Sequence, residues 1–130
     1  AMLMGAHFAG VAIEHAMLGA AHACANPLSA RFGLSHGAAV GLMLPHVVRF
    51  NESVSGLEYD RLGGGADRLI GRFADLRLAA GLPAELRTVG VPEEILPDLA
   101  ADAAEQWTAR FNPRPLGLAD FLDLYRAAFQ

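Results

Sequence analysis

Five histidines, His7, His15, His22, His36 and His46, are the residues of this sequence best suited to chemistry, and all five precede Asn51. Imidazole is the commonest metal ligand and a common proton carrier near neutral pH. His15 and His22 are seven apart, which places them on one helix face at ~100° per residue. His22 and Asn26, four apart, share a face if that helix reaches so far. His36 opens the next helix, between Ser35 and Gly37. Two helices meeting at a bent connector would bring His22 and His36 together as a metal pair. Spacing alone leaves a second reading open, in which each is a buried neutral histidine bonded to a backbone carbonyl. The interval from 22 to 36, with Pro27 inside it, matches no local metal motif.

Other chemistries have less to work with. All ten basic residues are arginines, so neither a lysine Schiff base nor a phosphate-loop lysine is available. Gly63-Gly64-Gly65 lacks the Lys-Ser or Lys-Thr of a phosphate loop and reads as a chain break. No carboxylate pair stands out among the acids of the second half. The arginines are scattered and the net charge is -4, which excludes a nucleic-acid footprint. The single Cys24 permits no internal disulfide and fits a reducing, cytoplasmic setting.

The elements that must position these histidines are helices. Met2 to about Cys24 reads as one long helix stopped or kinked by Pro27, because proline lacks the amide hydrogen. Ser35 is placed to cap a second helix running to about Phe50, kinked at Pro45, with a polar loop after it from Asn51 to Gly56. Leu57 to Leu62 is a short helical piece. Ala66 to Ala80 is amphipathic through Leu69, Ile70, Phe73 and Leu76. Ala84 to Gly90 holds about one turn. Pro92 opens a helix to about Ala109, with Glu93 and Glu94 where the helix dipole favours acids. Asn112-Pro113-Arg114-Pro115 is a rigid link, and Leu118 to Phe129 is the last helix. No run alternates as a strand does, so the fold class is all-α, a multi-helix bundle of about six or seven helices in a single domain, 1–130.

Charge is sparse at one end. Before residue 52 only Glu14, Arg31 and Arg49 are charged, so this stretch is expected to be buried. Gly33, Gly37 and Gly41, four apart, suggest close helix packing there. The longest uncharged run, Phe32 to Val48, is at the lower edge of the ~17–25 residues needed to cross a bilayer and contains His36, Pro45 and His46, so no membrane span is expected. Ala1-Met2-Leu3-Met4 has no positive segment or cleavage signature of a signal peptide.

Several stretches carry a more specific signal: Ala9-Gly10-Val11-Ala12, Leu18-Gly19-Ala20-Ala21-His22-Ala23-Cys24-Ala25-Asn26-Pro27-Leu28, Ser35-His36-Gly37, and Leu42-Met43-Leu44-Pro45-His46-Val47-Val48-Arg49-Phe50-Asn51. With Gly81-Leu82-Pro83, Val89-Gly90-Val91 and Asn112-Pro113-Arg114-Pro115, they resemble the C-terminal helical domain of the iron-containing (group III) alcohol dehydrogenases over essentially the whole chain. The resemblance implies a dehydroquinate synthase-like C-terminal domain. It implies a divalent metal, Fe2+ or Zn2+, held by one aspartate and three histidines beside NAD(P). His22 and His36 match two of those ligands. The aspartate and the other histidine belong to a helix upstream of the matching stretch, so half of the ligand set is here. Asn26 stands where the family has a histidine near substrate and nicotinamide, and Ser35 where it has proline. Asparagine hydrogen-bonds but carries no proton near neutral pH.

The expected function is that of a metal-binding domain whose partner is an N-terminal nucleotide-binding half; without that half and its NAD(P), the chain is expected to be inactive. A different class of function is a stand-alone helical oligomerisation module that buries its charge-poor end against a second copy. A third arrangement is a zinc site in which two copies each offer His22 and His36.

Overall fold

A computed structural model describes residues 1–130 and contains six α-helices and no strand. They are α1 (Met2–Ala16), α2 (Ala20–Phe32), α3 (His36–Gly63), α4 (Ala66–Ala79), α5 (Leu96–Ala104) and α6 (Leu118–Phe129). Short 3₁₀ turns at Arg87–Val89, Glu93–Ile95 and Trp107–Phe111 link the later helices.

The central element is α2. Ala20, Ala23, Cys24, Ala25 and Leu28 are fully buried, and their small side chains let neighbours approach on several sides. Around them pack Leu42 and Met43 of α3, Leu99 and Ala103 of α5, and Phe121 and Tyr125 of α6. Pro27 lies inside this helix instead of ending it. The missing amide costs about 3 kcal/mol in a helix interior, and here burial along the whole helix outweighs it.

The chain instead breaks earlier than the sequence suggests. The expected single helix is divided at Met17–Gly19, where the axis turns by 109°. Met17 takes φ 61°, ψ -169°, a conformation strained for any residue with a side chain. Gly19 lies so close to Asn112 that an added Cβ would stand 3.1 Å from its Oδ1. A residue far along the chain thus packs against the break and bonds the first amide of α2.

Four other expectations are corrected. The stretch Asn51 to Gly56 is helical, because Asn51 and Ser55 are buried; α3 runs through it with a kink at Ser55. The helix expected from Pro92 to Ala109 is divided: Gln106 leaves the helical conformation and its side chain turns to α2. The Gly33-Gly37-Gly41 row is not a packing seam. Gly33 is the left-handed C-cap of α2, and nothing lies within 4 Å of a Cβ at Gly37 or Gly41. Ser35 precedes α3, but its hydroxyl makes no cap bond; its carbonyl accepts the Ala39 amide.

Burial of the charge-poor end is realised only in part. In α2 and α3 it holds, but α1 has no buried residue, and Met2, Leu3, Met4 and Phe8 are largely exposed. No single helix is long and apolar enough to cross a membrane.

Candidate metal centre

His22 is the third residue of α2 and His36 the first of α3, and the two helix starts bring their rings into contact. Their centroids are 5.3 Å apart and their planes are tilted by 45°. Two imidazoles on one tetrahedral ion, each nitrogen ~2.1 Å from it, have centroids about 5.2 Å apart. The observed spacing therefore fits a shared divalent ion. His22 is half-buried and His36 exposed. Burial, and then the neighbouring His36, hold His22 below the ordinary histidine range and favour the neutral ring that ligates metals. No group of three or more His, Cys, Asp or Glu side chains gathers around an ion position, and the pair stands as two candidate ligands.

Asn26 is one turn beyond His22 on α2. Its Nδ2 donates to Oε1 of Gln106 at 2.8 Å, and Gln106 in turn donates to the Asp102 carbonyl at 3.3 Å. The other histidines lie apart from the pair. His15 bonds the Val11 carbonyl in its own helix, His7 stacks on Phe8, and His46 lines a separate cleft with Arg49, Phe50, Arg114, Asp120 and Asp123. Burial, with Arg77 adding to it, lowers the pKa of His46.

His22 also borders an apolar groove of about 510 Å³ between α1, α3 and α4, whose walls include Ile13, Met17, Leu44, Tyr59 and Phe73. Nothing in their spacing joins these residues. Their spacing is ordinary core spacing, and the groove exists only because α1 bends away from α2.

A second feature that sequence reasoning missed sits beside the pair. Asn112 and Asn51, both buried, exchange two side-chain bonds of 2.7 and 3.1 Å. Oδ1 of Asn112 also accepts the backbone amide of Ala20, the first residue of α2, at 3.2 Å. Arg114 reinforces the junction by donating to the Phe50 carbonyl at 2.9 Å and stacking its guanidinium 3.8 Å from the centre of the Phe50 ring. Asn51 and Asn112-Pro113-Arg114-Pro115 were visible as motif residues, but their meeting needed the fold.

Comparison with known proteins agrees with this geometry. The model of the Fe-containing alcohol dehydrogenase family, C-terminal part, matches residues 1–129. Lactaldehyde reductase of Escherichia coli K12 is 32% identical over 98% of this chain, and the match covers 37% of that enzyme. 1,3-Propanediol dehydrogenase of Klebsiella pneumoniae is 31% identical over 93% of this chain and 35% of its own length. A solved 1,3-propanediol oxidoreductase superposes with a TM-score of 0.85 at 30% identity, covering 93% of this chain and 35% of that one. The chain thus spans little more than a third of these relatives. It belongs to the iron-containing alcohol dehydrogenase family and corresponds to the family's C-terminal helical part.

Proposed function

We propose that this chain is the helical, metal-ligating domain of an NAD(P)-dependent alcohol dehydrogenase that interconverts alcohols with aldehydes or ketones. The observation that carries the reading is the His22–His36 pair at 5.3 Å, in a chain that belongs to this family. His22 and His36 would hold Fe2+ or Zn2+ together with ligands from an N-terminal nucleotide-binding half, which would also bring NAD(P). The ion, when bound, supplies Lewis-acid polarisation of an alcohol or carbonyl oxygen.

The chain's own residues do the rest. Half-burial keeps His22 neutral and ready to ligate. The apolar groove beside it gives the carbon skeleton of a substrate a dry surface. Asn26, one turn from His22 on α2, is a hydrogen-bonding group held by Gln106 in a separate cleft with Asp102 and Glu105, and takes no part in moving a proton. The exposed apolar face of α1 gives the nucleotide-binding half a surface to cover. The buried, unpaired Cys24 is in keeping with the cytoplasm.

A calorimetric titration with zinc, then with anaerobic ferrous iron, tests the reading. The chain should bind weakly, since complete sites use three or four protein ligands, and His22→Ala and His36→Ala should each remove that binding. Binding unchanged in both variants would refute the assignment.

The exposure of Met2, Leu3 and Phe8 also favours a second reading, a stand-alone module that pairs with a second copy through α1. Two such copies would present four imidazoles. Tight zinc binding accompanied by dimerisation in sedimentation would favour it over the first.

A further inference from the structure

An α-helix begins with amide hydrogens that have no partner of their own, and a side-chain oxygen at the N-cap normally satisfies one of them. At the start of α2 the N-cap is Gly19, which has no side chain. The missing oxygen comes from Asn112, far along the chain, whose Oδ1 accepts the Ala20 amide. The same oxygen accepts Nδ2 of Asn51, and Asn112 returns a bond to Oδ1 of Asn51 while also donating to the Arg114 carbonyl at 2.7 Å. Every side-chain polar atom of the Asn51–Asn112 pair is engaged within the pair or with backbone, apart from the second Nδ2 hydrogen of Asn51. The two residues are 4% and 8% exposed. A reciprocal buried amide pair fixes both distance and orientation, because a shifted partner leaves unsatisfied polar atoms.

The position of this pair gives it a consequence. Ala20 is two residues before His22 on α2, and Asn51 belongs to α3, the helix that His36 opens. We propose that Asn112 and Asn51 are positioning residues that lock the start of α2 to α3 and so hold the His22 and His36 rings at their metal-sharing distance. The use of that distance rests on the proposed metal function; the clamp itself does not. Gly19 belongs to the same device, since an added Cβ would stand 3.1 Å from the Asn112 Oδ1 and crowd its approach to the Ala20 amide.

The test uses the 130-residue chain with two readouts. Nuclear Overhauser contacts between ring protons of His22 and His36 report the spacing without metal. Pulsed electron paramagnetic resonance of added Cu2+–iminodiacetate counts the imidazoles on one ion. The unaltered chain should show the ring contact and two imidazoles. Asn112→Ala should lose the contact and fall to one imidazole while keeping its helical circular dichroism. Asn112→Asp keeps a capping oxygen but cannot donate to Asn51 or to the Arg114 carbonyl, so it should lose the contact as well. Asn112→Ala with the ring contact intact would overturn the proposal, as would absence of the contact in the unaltered chain. If Asn112→Ala does not fold, Gly19→Val takes its place: its Cβ alone would stand 3.1 Å from the Asn112 Oδ1, and the branched side chain displaces the cap while both asparagines are kept, so loss of the contact supports the proposal and its retention overturns it. A ring contact present without a two-imidazole copper signal would refute the metal reading and leave the clamp standing.

Discussion

Tyr125 offers the sharpest test of how α2 is held. It is fully buried on α6 and donates its hydroxyl to the Cys24 carbonyl of α2 at 2.8 Å, joining residues 101 apart. Tyr125→Phe keeps the ring and removes this single neutral bond. The Cys24 carbonyl sits mid-helix, where the Leu28 amide is its regular partner, so it is not left bare. The expected loss is about 1 kcal/mol, or roughly 3–5 °C in Tm for a chain of this size. Tyr125→Ala removes the ring as well. About 200 Å² of buried aromatic surface at ~25 cal/mol/Å² is worth about 5 kcal/mol as an upper bound, in line with the ~3–5 kcal/mol typical of aromatic-to-alanine cavities. That is a large share of a stability of about 5–15 kcal/mol. Burial pushes the Tyr125 phenol and the Cys24 thiol upward, so neither ionises near neutrality, and both losses should be equal at about pH 6 and pH 8. Urea unfolding followed by circular dichroism measures both. A Tyr125→Phe loss as large as that of Tyr125→Ala would mean that the hydroxyl, not the packing, fixes α6, and the reasoning would be wrong.

Two further predictions concern the histidines. His46 and His22 are both held below their ordinary value of 6.5, mainly by burial, so the unfolded chain takes up their protons first. Stability should be full above about pH 6.5 and fall as the pH drops below it; His46→Gln should flatten the decline measured by urea midpoints at about pH 7.5 and pH 5.5, and an unchanged slope would count against burial of His46. Asn26→His would place a third imidazole one helical turn from His22, a spacing that chelates zinc. It should strengthen zinc binding roughly tenfold despite losing the Gln106 bond, worth about 1 kcal/mol; calorimetry showing no gain would mean that residue 26 faces away from the ion.

Helix identity was legible wherever local signals act alone. Ala66–Ala79 and Leu118–Phe129 lie where their apolar spacing and flanking glycine put them. The failures come where a distant residue decides. Pro27 read as a stop or kink and Pro45 as a kink, yet each sits inside a buried helix, and the non-helical residue of α3 is Ser55. The break at Gly19 could not be anticipated, because the residue packed against it, Asn112, is far along the chain. The candidate site shows the same division. His22 and His36 could be named from their sequence surroundings, but spacing could not show that the two rings meet. Ile13, Tyr59 and Phe73 carried no signal at all as groove residues, since a groove wall and a core face share one periodicity.

Long-range polar contacts fall repeatedly on one element. Asn112 bonds the start of α2 at Ala20; Tyr125 and Gln106 bond its middle at Cys24 and Asn26; Asp102 pairs with its end at Arg31, 2.6 Å away. The last of these is half-exposed and worth little, but the others are buried or half-buried. α1, by contrast, has no such bond and no buried side chain. The helix that carries His22 is therefore fixed by its own domain, while the helix that begins the chain is left to be covered. For a site completed by another half, this distribution matters to affinity. Ordering flexible groups on association opposes binding, and on the proposed reading α2 would be ordered before a second half met it, leaving the contacts of α1 to be organised. Preorganisation of a ligand depends on the groups that support it, and here those groups are amides, a phenol and a glycine rather than further histidines.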